Sequence, residues 1–263
     1  MNFEKVRHNL KIFFKKYGYG FVSIYYIFCL ALYGIFNALI KPVFIINTFF
    51  IDKFIPFCEI FVIPYVLWYA YIFFAFLLFF IFSRKQFLTF CLYTFIGVTI
   101  SYMIYFILPN GIGDWNETYN GQPGLRPDFS TTEKIEESGI GRDNVFIRGI
   151  GLINSVDNNN NVCPSLHCYN SLVISIVLMK SRLFDKRKWI VAGSWILTAM
   201  ISMSTLFIKQ HSIIDLFAAA ALAAVIYPVV YKIKWKFLDR EDVDLKTLIK
   251  RKDQNLKTKG KLL

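Results

Sequence analysis

The chain is short of the side chains around which most soluble catalytic centres are built. Its 263 residues include three histidines, at positions 8, 167 and 211. The five cysteines, at 29, 58, 91, 163 and 168, form no CxxC pair and follow no metal-ligand spacing, so a cysteine-held metal has no basis in the sequence. Cys163 and Cys168 flank a histidine, but five residues across a helix start is awkward geometry for a disulfide. No cluster of Asp and Glu has the spacing that holds magnesium. Acidic residues are scarce throughout, 18 against 30 basic ones, for a net charge of +12. That excess does not call for nucleic acid, because basic tails beside a membrane are drawn to anionic headgroups.

Apolar residues are what the chain has in abundance: 56% of residues are hydrophobic and 18% aromatic, with a positive mean hydropathy, which places it in lipid. Runs long enough to cross a hydrocarbon layer of about 30 Å cover 19–39, 60–82, 87–108, 189–208 and 213–231, and a shorter run covers 166–179. The expected fold is all-α: a polytopic six-helix transmembrane bundle preceded by an interfacial helix. The division that follows is a basic amphipathic helix at 1–18, three membrane helices in 19–108, and an external loop at 109–163. Three further membrane helices occupy 164–231, and a basic cytoplasmic tail occupies 232–263. In the first segment Phe3, Val6, Leu10, Phe13 and Phe14 recur at helical spacing among Lys and Arg. The first apolar run is too long for a secretory signal and has no small-residue cleavage site, so this N-terminus is expected to be retained.

With six crossings, 23 of the 30 basic residues fall on one side of the membrane, and the positive-inside bias makes that side cytoplasmic. Both termini are then cytoplasmic in a multi-pass cell-membrane protein. Five crossings would place one basic terminus outside.

The segment 109–163 changes composition abruptly to Gly, Asn, Asp and Glu, with eight acidic and four basic residues. A connection of that length is functional or disordered. Arg142 and Arg148 read as ordinary surface charge, whereas Arg126 is fixed beside Pro127. The loop ends in Cys163-Pro164-Ser165-Leu166-His167, and the turn between the last two runs carries Lys209-Gln210-His211-Ser212-Ile213-Ile214-Asp215. His211 and Asp215 are four residues apart, so on a helix they share a face and can hydrogen-bond. The carboxylate then fixes the proton on one imidazole nitrogen and leaves the other free to attack. A helix starting at Pro164-Ser165-Leu166 presents uncommitted N–H groups that bind anions. Ser165 adds a hydroxyl, Arg126 and Lys209 add positive charge, and His167 is placed to protonate a leaving alkoxide. The set reads as a phosphate site whose expected chemistry is metal-free, needs no cofactor, and runs through a phosphohistidine.

Arg126-Pro127, Pro164-Ser165-Leu166-His167, and Ser204-Thr205 followed by His211 and Asp215 are similar, in order and spacing, to the three signature motifs of the type 2 phosphatidic acid phosphatase superfamily. The resemblance covers roughly 126–224. It implies a six-helix core and metal-independent attack on lipid phosphates, with His211 as nucleophile, Asp215 orienting it and His167 as general acid. Arg126, Ser165 and Leu166 then fall among the phosphate-binding positions. The chain departs from the pattern at three places: Tyr119 stands where a lysine is usual, Leu166 where a glycine is usual, and Thr205 where an arginine is usual. Lys209 is the substitute cation, and Ser-Thr with Lys-Gln-His resembles a branch that includes inositol phosphorylceramide synthases. The implied function is hydrolysis of a lipid phosphate or diphosphate. The alternatives are transfer of a phosphoryl-linked headgroup to an acceptor lipid and a catalytically degenerate membrane scaffold. The expected partners are a lipid phosphate and the bilayer, with no nucleic acid.

Overall fold

The computed structural model describes residues 18–39, 44–45, 50–119, 122–157 and 160–238. The interfacial helix expected at 1–18 falls, but for its last residue, outside the described residues, as does the tail beyond 238.

Each of the six apolar runs forms a helix. These are α1 (Ser23–Leu39), α2 (Val62–Phe82), α3 (Arg84–Ile107), α6 (Leu166–Lys180), α7 (Lys188–Phe207) and α8 (Ile213–Lys232). Polar residues set the boundaries. Ser83 ends α2 in an extended conformation, and its hydroxyl accepts from Gln86 N (3.1 Å) to start α3, so one residue makes the joint. Ser165 and Ser212 cap α6 and α8 in the same way.

Four helical stretches are long and apolar enough to cross a membrane: Glu59–Phe82, Arg84–Ile107, Lys188–Phe207 and Ile213–Lys232. The other two of the six expected crossings fall short of the roughly 20 residues a span needs: α1 has 17 and α6 has 15.

α6 is the axis of the bundle, packing on α2, α3, α7 and α8. Tyr93, Tyr169, Ile174, Val177 and Ala219 are buried around it. The fit against α3 depends on Gly97, where a Cβ would lie 1.9 Å from the Tyr169 ring. With that space kept, the Tyr169 hydroxyl donates to Tyr93 O (2.6 Å), and the Tyr93 hydroxyl donates to Ala223 O (2.5 Å). Small polar residues join α6 to α7: Ser175 Oγ bonds Thr198 Oγ1 (2.8 Å), while Tyr71 of α2 bonds Ser194 Oγ (2.7 Å). Such bonds satisfy polar groups that lipid could not. Phe73, Phe74, Phe106, Ile196, Phe217 and Val225 stand on the outer faces, where a bilayer would cover them.

The described part of the 109–163 segment is more ordered than its composition suggests. It contains α4 (Thr132–Glu137) and α5 (Val145–Val156), besides pairs of residues in short strands. Asn144 starts α5 by accepting from Phe146 N (2.9 Å) and Ile147 N (3.0 Å). Ile147, Ile150 and Ile153 then pack with Val62, Tyr65, Phe129 and Ile208 into a second core over the ends of α2 and α7. Arg142 pairs with Glu59 (2.7 Å) and Arg148 with Asp143 (2.8 Å) at the surface. All five cysteines are free thiols.

Candidate active site

His211 and Asp215 meet, though not as neighbours on a helical face. Helix α8 begins only at Ile213, so His211 precedes the cap residue Ser212, and Asp215 is the third residue of the helix. The contact is part of a capping box: Asp215 Oδ2 accepts from Ser212 N (2.9 Å) and pairs with His211 Nδ1 at 3.1 Å. The carboxylate is fully buried, so its position is fixed by the start of the helix. The turn before it is held as firmly. Gln210 N and His211 N both donate to Thr205 O (2.9 and 3.1 Å), and Lys209 adopts a positive φ of 61°.

A residue remote in sequence completes this turn. Asp52 is buried and accepts from Ile213 N (2.8 Å) with one carboxylate oxygen and from the Ser212 hydroxyl with the other. The Ser212 hydroxyl is thus donor to Asp52 and acceptor from Ile214 N (3.4 Å).

His167 lies in the first turn of α6, after Ser165, whose Oγ accepts from Cys168 N (3.4 Å). Ser165 N donates to Asp215 O (3.1 Å), which joins the second motif directly to the third. Asn110 anchors the approach: its Oδ1 accepts from Val162 N and Cys163 N, and its Nδ2 donates to Cys163 O. Tyr105 donates to Pro164 O at 2.6 Å. The His167 ring stacks obliquely between Tyr65 (4.5 Å between centroids) and Trp68 (4.2 Å) of α2, and its centroid is 5.6 Å from that of His211. Both histidines are 8% exposed. His167 Nε2, Trp68 Nε1 and Asp215 Oδ1 are buried at the site with no hydrogen-bond partner. Burial first, and then the Asp215 carboxylate, push the Cys163 thiol up to about 12, so it stays protonated beside that carboxylate.

The other expected phosphate ligands divide. Leu166 is the first residue of α6, where main-chain N–H groups have no intrahelical acceptor, so it shares the helix start with Ser165 and His167. Arg126 is buried, and its Nη2 donates to Asn154 Oδ1 (3.0 Å) and Asp157 O (2.5 Å). Gln210 Nε2 donates to the same Asn154 oxygen (3.0 Å), which links Arg126 to the residue before His211. Lys209 turns away: its ammonium donates to the carbonyls of Asp52 (3.0 Å) and Ile55 (2.5 Å). Burial lowers the pKa of this amine, against the opposing pull of the Asp52 carboxylate. Thr205 donates its hydroxyl to Ser202 O (2.8 Å).

Asp52, Asn110, Asn154, Tyr65 and Trp68 have no signal in the sequence that identifies them with the site. Tyr65 and Trp68 are three apart on a span full of aromatic residues, where ring stripes usually face lipid or pack. Asp52 is a lone acid between apolar runs, 160 residues from Ser212. Among the described residues, no group of three or more His, Cys, Asp or Glu is placed to hold a metal.

The model of the PAP2 superfamily matches residues 117–239, which span all three motifs and helices α4 to α8. That match identifies this part of the chain with the type 2 phosphatidic acid phosphatase superfamily. It supports a phosphoester enzyme of phosphatase or phosphotransferase type acting on lipids. No curated relative and no solved structure matches the chain at a significant level.

Proposed function

We propose that the protein is an integral membrane lipid phosphatase that removes phosphate from a lipid phosphate or diphosphate through a phosphohistidine. The observation that carries this reading is the pairing of His211 Nδ1 with buried Asp215, with the unpartnered His167 Nε2 on a ring 5.6 Å away.

The carboxylate holds the proton on Nδ1 of His211 and leaves Nε2 as an uncharged nucleophile. Nε2 attacks phosphorus and forms the N–P bond as the P–O bond to the lipid breaks. His167 gives a ring proton to the departing oxygen, so a neutral alcohol or a shorter phosphate leaves. In the second half, His167 takes a proton from water. The water oxygen bonds to phosphorus, the N–P bond breaks, and inorganic phosphate departs with both imidazoles restored. The first-turn N–H group of α6 at Leu166, the Ser165 hydroxyl and Arg126 bind the phosphate oxygens.

All six apolar helices cross the bilayer in this proposal, α6 despite its length because its neighbours surround it. Both termini are cytoplasmic, and the histidines open on the extracytoplasmic side. The distribution of basic residues supports that orientation.

A second reading is transfer, in which a lipid hydroxyl replaces water. The burial of both histidines, His167 against the rings of Tyr65 and Trp68, favours it, because a transferase must exclude water. A panel of lipid phosphates, diphosphates and phosphodiesters, with and without an acceptor lipid, tests the two. Release of phosphate or a shorter phosphate without acceptor supports hydrolysis, and product formed only with acceptor supports transfer. No turnover of any member contradicts both.

A further inference from the structure

The end of the bundle farthest from His211 holds a polar cavity that the proposed reaction does not use. Its volume is about 390 Å³, and it lies where the start of α3 meets the ends of α6 and α8. Lys85, Lys180, Arg182 and Lys234 line it with Gln86 and Tyr231, and no Asp or Glu is among the described residues of its wall. The Tyr231 hydroxyl is buried without a partner. At 1.5 Å per residue, the run of α6 from His167 to Lys180 separates this end from His167 by about 20 Å.

Helix polarity does not account for the charge. Lys180 suits the carbonyl end of α6 and also lies over the Tyr227 ring (5.6 Å). Lys85, by contrast, stands in the first turn of α3, where a helix disfavours a cation, while Arg182 opens a short 3-10 helix and Lys234 lies two residues past the end of α8. Four like charges around one hollow repel unless an anion fills it. The α3 start, with Ser83 capping Gln86 N, adds a favourable dipole for such an anion. Two of the spans long enough to cross a membrane, α3 and α8, end here, which places the cavity at the depth of lipid headgroups.

We propose that this cavity binds the phosphate-bearing headgroup of a membrane lipid, at a site separate from the catalytic histidines. The ligand chemistry is a phosphate anion, with a lipid as its source. The proposal does not rest on the hydrolytic reading and stands or falls apart from it.

Native mass spectrometry of the full-length protein in detergent, titrated with dioleoyl phosphatidylglycerol, tests it. Removing three of the cations with Lys180→Gln, Arg182→Gln and Lys234→Gln together should weaken binding on the order of a hundredfold. The charge-preserving pair Lys180→Arg and Lys234→Arg should retain it. Lys186→Gln with Lys188→Gln, at the same end but off the cavity wall, should change it by no more than about twofold. Equal loss in that control, or unchanged binding in the triple variant, overturns the site. A further arm adds inorganic phosphate: lipid that stays bound supports the headgroup, and lipid displaced at millimolar phosphate overturns it in favour of the free anion.

Discussion

Asp52 gives the sharpest perturbation of the site, because it touches neither histidine and yet holds the turn that carries one of them. Substituting it with Ala leaves the Ile213 N–H and the Ser212 hydroxyl without their acceptors, in a place where both Ser212 and Asp52 are buried. Each stranded group costs about 1–3 kcal/mol, so the variant should lose roughly 2–6 kcal/mol of stability, less whatever water recovers. Asp52→Asn keeps one carbonyl oxygen and should lose about half of that. The Lys209 contact runs to the main-chain carbonyl and survives both changes. His211 adjoins Ser212, and a shift of its ring by about 1 Å should cost about 10²-fold in kcat. KM should move less, since no phosphate ligand is removed. Thermal unfolding in detergent and steady-state release of phosphate from a lipid phosphate measure the two effects. Asp52→Ala with wild-type melting and wild-type kcat would refute the reasoning.

Three further outcomes follow from contacts around the same turn and bundle. Asp215→Asn should lower kcat by about 10²- to 10⁴-fold, because an amide can hold the wrong imidazole tautomer; a wild-type rate contradicts its assignment. Lys209→Met removes the two bonds to Asp52 and Ile55 carbonyls, so the melting temperature should fall while KM for the phosphate substrate holds; a large rise in KM with unchanged melting would make Lys209 a substrate ligand. Since burial lowers the amine's pKa in the folded protein, the unfolded chain keeps its proton to higher pH, and stability rises between that lowered value and about 10.4. Lys209→Met should flatten that rise in pH-dependent melting. Gly97→Ala drives a methyl into the Tyr169 ring and should cost about 1–3 kcal/mol or more, read as a lower melting temperature; unchanged melting would show that α3 and α6 can separate freely.

Each apolar run in the sequence forms a helix, because in lipid a chain must satisfy its own backbone and long apolar runs become helices. Run length could not decide which of them span, since α1 and α6 fall below the usual length and depend on their neighbours. The 109–163 segment was the least legible part. Gly149 and Gly151 interrupt the apolar spacing of α5, and the cap at Asn144 resembles an ordinary loop asparagine until Ile147, Ile150 and Ile153 find the second core. His211 with Asp215 and His167 could be picked out because ionisable side chains at the ends of apolar runs are costly and few. The contact of His211 with Asp215 comes from a capping box and not from the shared helical face that the four-residue spacing predicts. Asp52 was beyond sequence reasoning altogether: nothing local to a single acid between apolar runs records a serine 160 residues further along the chain. Lys209 shows the converse, since its place in the motif suggested a phosphate ligand and its ammonium is found on main-chain carbonyls.

The central claim is covalent attack by one imidazole. Rapid mixing of the purified protein with a turned-over lipid phosphate, an alkaline quench and peptide mass analysis tests it most directly. An acid-labile phosphoryl group on the peptide carrying His211, absent from His211→Ala, is the predicted result. Full turnover by His211→Ala, or a phosphoryl group found only elsewhere, would contradict it.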